Sequence, residues 1–293
     1  MEENHTYGGQ AVIEGIMIRG KHHVSVAVRR PDSTIAVRCE PLYSLFTGNL
    51  RNIPFIRGFL VLIEIMILGM RSLAYSANVA AEAENEELGK VSLGIMISIS
   101  LVFSIILFFL TPVFLSNLLE GILKSHLLVN LIEGLIRVII LIGYLFLIGR
   151  MNDIKRVFMY HGAEHMAVHA REKNEELNLT NLKKYPTAHP RCGTAFILVV
   201  AFVSVFIFVF LGREPLWWLL LSRVIFVPII ASISYEIIRF NNQFSNNFFV
   251  KFIVGPSLAL QSLTTRKPDD MQLEIALVAI NKTIDADNLK GNI

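Results

Sequence analysis

Ile95–Leu115 reads IMISISLVFSIILFFLTPVFL, a run with no charged residue. A bilayer's hydrocarbon core is about 30 Å thick, and a helix needs roughly 20 apolar residues to cross it. Gly193–Leu211, GTAFILVVAFVSVFIFVFL, is equally free of charge. Leu127–Gly149 is apolar around Glu133 and Arg137, and Leu216–Ile238 around Arg223 and Glu236, with Pro228 as an interruption. The whole chain agrees: of 293 residues 53% are hydrophobic and only 17% charged, with a mean hydropathy of +0.54. That composition excludes a disordered chain, and two cysteines exclude a disulfide scaffold. It argues against a purely soluble enzyme, and a formal net charge of +3 is too small for a nucleic-acid binder.

The four spans pair into two hairpins, joined by Ser116–His126 and by Gly212–Pro215. Lys and Arg count seven in the N-terminal stretch from Arg19 to Arg57, eight between the hairpins (Arg150 to Arg191) and six after the last span (Arg239 to Lys290), against one in each link, Lys124 and Arg213. The positive-inside rule then puts both termini and the central segment in the cytoplasm. A weaker apolar stretch, Ile53–Tyr75, holds Pro54, Arg57, Glu64 and Arg71. It is expected to be re-entrant or interfacial, because a fifth crossing would send the basic N-terminus outside. No signal peptide is expected, since the first fifty residues lack an apolar core. A cytoplasmic setting keeps Cys39 and Cys192 reduced.

The expected fold is therefore a membrane α-helical protein with four transmembrane helices in two hairpins, a re-entrant or interfacial helix, a small cytoplasmic β-subdomain and cytoplasmic helices. Its units are a β-subdomain (1–52), the re-entrant or interfacial helix (53–76), the first hairpin (77–149), a cytoplasmic helix and loop (150–192), the second hairpin (193–238) and C-terminal cytoplasmic helices (239–293). In the first unit, Val24, Val26 and Val28 alternate, Pro31-Asp32-Ser33 signals a turn, and Thr34–Arg38 alternates again, which predicts a hairpin. Gly8–Gly20 reads as one strand bracketed by glycines, with Glu14 a carboxylate on it. Phe248–Leu263 is amphipathic, Asp269 and Asp270 suit a helix start, and Met271–Ile284 is the helix that follows.

The central segment carries the candidate chemistry. It is expected to continue as a helix out of the second span, with Ile154, Val157, Phe158, His161, His165 and Val168 on one stripe. His161-Gly162-Ala163-Glu164-His165 is an H-x-x-E-H pattern, the inverted zincin arrangement. Two imidazoles four residues apart face the same way and can share one metal, and Glu164 beside them can act as base or further ligand. His169 extends the ladder by a turn, and His189 and Cys192 follow the loop, so His169, His189 or Cys192 can complete the shell. The implied cofactor is a divalent metal, zinc first. The competing account is that His161 and His165 are packed core histidines bonded to main chain or to Glu164, that Pro190 sets a turn and that Cys192 packs as a small apolar residue. Glu133 and Arg137 form an i, i+4 pair with Arg223 as a possible third member.

Four blocks in order, GGQAVIEGIMIRG (Gly8–Gly20), YHGAEH (Tyr160–His165), HPRCGTAF (His189–Phe196) and LTTRKPDD (Leu263–Asp270), with Ile53–Gly58 between the first two, resemble the bacterial YqhQ-like family. The resemblance covers nearly the whole chain. The chain departs from the family pattern at Lys21, Met166 and Lys267, none of them a candidate ligand. The family is catalogued as predicted metal-dependent membrane enzymes, so the resemblance implies a bacterial inner-membrane protein. The leading expectation is a metal-dependent hydrolase at the membrane surface, its partner the lipid bilayer. The rival is a non-enzymatic partner or assembly factor for another membrane protein, and a transporter ranks third.

Overall fold

The computed structural model describes residues 7–81, 90–190, 192–243 and 248–290. Arg191 of the HPRC block lies outside the described residues. Four strands, β1 (Gly8–Val12), β2 (Gly15–Arg19), β3 (His23–Arg29) and β4 (Ile35–Pro41), form an antiparallel meander in chain order. The short α1 (Ser44–Thr47) and a 3-10 turn at Asn49–Asn52 lead to α2 (Ile56–Ala81). Then come α3 (Lys90–Ile105), a π-helical turn at Ile106–Leu110, α4 (Thr111–Leu123), α5 (His126–Ile148), α6 (Asn152–Glu172), α7 (Leu179–Leu182), α8 (Gly193–Val209), α9 (Leu216–Ile225), α10 (Val227–Gln243), α11 (Phe248–Thr264) and α12 (Asp270–Lys290).

The sheet is covered on both faces. Val24, Val26 and Val28 point to one side, where they bury with Met17 against Leu68 and Val79 of α2. Ile16, Ile18 and Ala27 point to the other, into a core shared with Tyr160, Ala163 and Ala167 of α6 and Leu273, Ala276 and Ile280 of α12. Period-two alternation makes both possible in one strand. Ser25 on the α12 side is small enough to admit that helix, and its hydroxyl donates to the Ala279 carbonyl at 2.6 Å.

The 23–38 hairpin is as the alternation predicts, closed by an Asx turn in which the Thr34 amide donates to Asp32 at 2.9 Å. The single strand expected over Gly8–Gly20 is instead a second hairpin, turning at Ile13–Glu14 with Glu14 at φ 50°. Glutamate rarely takes that conformation, so the turn carries no composition signal. A side-chain fork holds it: Arg156 meets both Glu14 carboxylate oxygens at 2.6 and 2.5 Å, and the Tyr160 hydroxyl donates to one at 3.2 Å. Glu14 is thus a paired turn carboxylate, held below the ordinary carboxylate range chiefly by Arg156.

Three helices are long and apolar enough to cross a membrane: Ile56–Ala81, Gly94–Leu123 and His126–Ile148. Leu216–Ile225 with Val227–Phe240, bent by 41°, makes a fourth if the pair is one span. Pro228 accounts for that bend, since it removes a donor and clashes with the preceding turn. Gly193–Val209 is apolar over 17 residues. None of the apolar window in Gly94–Leu123 is buried within the protein, an exposure of apolar surface that calls for lipid or another protein. The stretch expected to be re-entrant or interfacial is one unbroken helix, α2, whose C-terminal half packs on the sheet. Its Glu64 takes Arg19 at 3.0 Å and Arg51 at 2.6 Å. The helix expected to run on from the second span is broken at Gly149–Met151, so α6 leaves at an angle of its own.

At the α4–α5 end of the bundle one carboxylate organises several helices. Glu133 on α5 takes Arg213 from the α8–α9 link at 2.8 Å, Arg223 of α9 at 2.9 Å and Arg137 one turn along at 3.0 Å. Arg223, expected as a partner, is there; Arg213 was not foreseen. Removing one member of a buried ion pair leaves uncompensated charge. Glu133→Ala is therefore expected to lower stability by about 3–5 kcal/mol, read as denaturant unfolding of the detergent-solubilised chain, and Glu133→Gln to recover only part of it.

Candidate metal centre

The back of α6 is lined with small residues. Gly162, Ala163, Ala167 and Ala170 are buried, and a Cβ on Gly162 would lie 2.2 Å from the Arg266 main-chain oxygen. This close approach lays the α11–α12 connection along the helix. The Thr264 carbonyl thereby reaches His161 Nδ1 at 2.8 Å. On the other side, residues 187–190 run beside the histidine stripe: the Thr187 carbonyl meets His165 Nδ1 at 2.6 Å, and the Ala188 carbonyl meets His169 Nε2 at 2.9 Å. A main-chain acceptor on one ring nitrogen fixes the tautomer and turns the other nitrogen toward a shared point.

The rings do converge. The His161 and His165 ring centroids are 4.4 Å apart. Cys192 Sγ lies 3.1 Å from His161 Nε2 and accepts the Thr194 amide as the N-cap of α8. Next along the row, the His165 and His189 rings are 5.6 Å apart and the His189 and His169 rings 4.4 Å. His189 Nε2 faces the two Glu172 oxygens at 3.3 and 3.4 Å. Gln261, fully buried on α11, clamps the His189 peptide from both sides: its Oε1 accepts the His189 amide and its Nε2 donates to the His189 carbonyl, each at 2.8 Å.

The five ligand candidates read from the sequence fall, together with Glu172, into two triads, His161/His165/Cys192 and His169/Glu172/His189, each with its potential ligand atoms within 4.8 Å of one another. These clusters could hold a metal. Glu164 stands beside the first. It is 4% exposed, and its Oε2 is 3.4 Å from His165 Nε2. Its neighbour on β1 is Gly9, where a Cβ would come within 2.9 Å of the Glu164 Cγ; the Gly9 amide also bonds the carboxylate. Burial pushes the Glu164 carboxyl up from the usual range. Burial likewise lowers His165 and His189, which favours neutral imidazole, the form that ligates metals.

Cys39 and Cys192 are both free, one on β4 and the other at the start of α8. Asp269 caps α12 reciprocally with Gln272, amide to side chain in both directions at 2.9 Å, and Asp270 pairs with Lys183 at 2.6 Å. Glu172, Thr187, Gln261 and Thr264 were not singled out from the sequence. Glu172 had a signal, lying three residues past His169 on the same helix. The other three act through carbonyls or a clamp across the fold and had none.

A polar sheet-and-helix subdomain joined to a bundle of apolar helices, with a His/Cys/Glu cluster where the two meet, defines the class of this protein. The pattern of a family described as "Protein of unknown function (DUF1385)" matches residues 53–286, and the chain belongs to that family. It is 34% identical over 292 residues to "Uncharacterized protein YqhQ" of Bacillus subtilis (strain 168), covering 95% of this chain and 92% of that protein. The YqhQ-like resemblance of the four sequence blocks is thereby upheld. No solved structure matches.

Gly162 tests the assembly of the site. Gly162→Ala is expected to cost about 1–3 kcal/mol through overpacking against the Arg266 main chain, and to raise the mobility of the 264–266 segment in hydrogen exchange.

Proposed function

We propose that the chain is a polytopic bacterial inner-membrane protein whose His161/His165/Cys192 triad holds a divalent metal, zinc first, at the cytoplasmic membrane surface, and that it acts there as a metal-dependent hydrolase. The observation that carries this reading is the convergence of two ring nitrogens and a thiol sulfur within 4.8 Å, with the two Nδ1 atoms already engaged by carbonyls. Two imidazoles and a thiolate are a borderline-soft donor set that suits zinc and leaves the fourth tetrahedral position open, as in catalytic rather than structural sites. Such an ion, when bound, supplies Lewis acidity and makes water more acidic.

The protein's own residues do the rest. Thr187 and Thr264 carbonyls orient the rings. Glu164, raised by burial toward neutrality, is placed to accept and return a proton beside the triad. In its ionised form its charge would balance a dication held by one thiolate and two neutral rings. Lipid-linked, peptide and phosphoester substrates all suit this chemistry.

The topology supports a surface location. α5 ends and α8 begins beside the cluster, so both helices would point away from it into the bilayer. Of α2, only residues 56–63 precede Glu64 and the sheet contacts. Eight residues rise about 12 Å, short of the roughly 30 Å core, which favours an interfacial α2 over a fifth crossing.

A second reading is favoured by the same carbonyl contacts: the histidines staple residues 187–192 and 264–266 to α6 in a scaffold that docks another membrane protein. Metal content separates the two. Zinc is expected in the purified detergent-solubilised protein, and His161→Ala or Cys192→Ser should lower its affinity at the first triad at least tenfold. Glu164→Gln should keep the metal and lose about 10²–10⁴-fold in hydrolysis, read with bis(p-nitrophenyl) phosphate and a fluorogenic peptide as probes. Metal content indifferent to His161 and Cys192 would leave the scaffold reading.

A further inference from the structure

We infer that the second triad, His169/Glu172/His189, is a separate binding site for a first-row divalent cation, distinct in ligand chemistry and in role from the first. The two triads share no ligand. The spacing of the four rings, 4.4, 5.6 and 4.4 Å in order, pairs His161 with His165 and His169 with His189 and leaves the wider gap between the pairs. Along α6, the midpoint of His161 and His165 and that of His169 and Glu172 differ by seven to eight residues, or about 11 Å of helix rise. Ions that clamp the attacking and leaving oxygens of one displacement sit about 3.5–4 Å apart, against 5.6 Å between the His165 and His189 rings of the two triads.

Its geometry suits a cation. His189 Nε2 stands 3.3 and 3.4 Å from the two Glu172 oxygens. A direct charge-assisted hydrogen bond would close to about 2.7–2.9 Å. Two ligand bonds of about 2.0–2.2 Å meeting at a tetrahedral centre place their donor atoms about 3.4 Å apart. The members are held from outside the triad: the His169 ring by the Ala188 carbonyl and by stacking on Tyr185 at 5.7 Å, and the His189 peptide by Gln261. Preorganisation of this kind keeps ligands in place before an ion arrives.

The donor set also differs. Two imidazoles and a carboxylate, without sulfur, accept the harder and borderline ions Mn²⁺, Fe²⁺, Co²⁺ and Zn²⁺, whereas the thiolate-bearing triad selects the softer end. The role follows from chain geometry. Residues 189–192 would be tied at one end to the last turn of α6 through His189 and at the other carry Cys192 to the first triad.

Cobalt(II) titration of the chelator-treated, detergent-solubilised full chain tests this, because cobalt gives a near-ultraviolet charge-transfer band only where a thiolate ligates it. The wild type is expected to take two equivalents, one of them bringing the band. Glu172→Gln should take one and keep the band, which also certifies its fold. Cys192→Ser should take one without the band. A wild type that saturates at one equivalent with the band, or a Glu172→Gln variant that still takes two, overturns the second site and leaves the first. One equivalent without the band supports the second site and overturns the first; no uptake overturns both.

Discussion

Three main-chain carbonyls, those of Thr264, Thr187 and Ala188, each hold one imidazole of the α6 ladder, and the junction between the two halves of the molecule depends on those bonds. Main-chain oxygens come from segments that cannot rotate away, so each bond fixes the position of a chain as well as of a ring. The residues brought together come from α6, from 187–192 and from the end of α11, more than a hundred positions apart at the extremes. A buried carbonyl must be paired, and here the partner is a side chain suited to chemistry. The same bonds serve packing and would serve a metal equally, so core histidine and ligand histidine are not opposites in this protein. A ring fastened at Nδ1 is both satisfied on one side and aimed on the other.

The polar subdomain is built so that this helix has no freedom to slide. β2 and β3 are buried on both faces, a condition more familiar in parallel sheets between helices. Valines fill the side toward α2, and Ser25 and Ala27 leave room for α12 on the other. α6 meets the same core through alanines, so its backbone lies close to β1, and Gly9 concedes the space that Glu164 occupies. An alanine at Gly9 would displace the carboxylate before it touched any histidine.

Much of this was legible in the sequence, and unevenly. The H-x-x-E-H spacing fixes two histidines on one helical face whatever the tertiary fold, because the helix period alone decides it. The 23–38 hairpin was legible for the same reason, period two with a Pro-Asp-Ser turn between. The Gly8–Gly20 hairpin was not, since Glu14 takes a left-handed conformation that an ion pair to Arg156 supports from 142 positions away. The division of five ligands into two triads was not legible either. It depends on where 187–192 is laid against α6, and Gln261 and Ala188 decide that without any motif to announce them. The apolar runs gave the span candidates, but composition could not say that the C-terminal half of Ile56–Ala81 would pack on the face of a sheet. Only the partners of Glu64, Arg19 and Arg51, make that plain.

The two ends of the bundle use one device for different ends. At the α4–α5 turn, Glu133 gathers three guanidiniums from α5, α9 and the α8–α9 link, and its bonds are spent on holding helices. At the opposite end, Glu164 is buried with no guanidinium among its partners in the described residues and with histidines around it. Arginines close in Glu133, whereas burial pushes the Glu164 carboxyl up from the usual range. Because Cys192 caps α8 and Gln261 belongs to α11, the histidine cluster is positioned by apolar helices that pack against α5, the helix on which Glu133 sits. The Glu133 cluster therefore secures the frame from which the histidine cluster is held, and the two buried carboxylates differ in which basic residue type surrounds each.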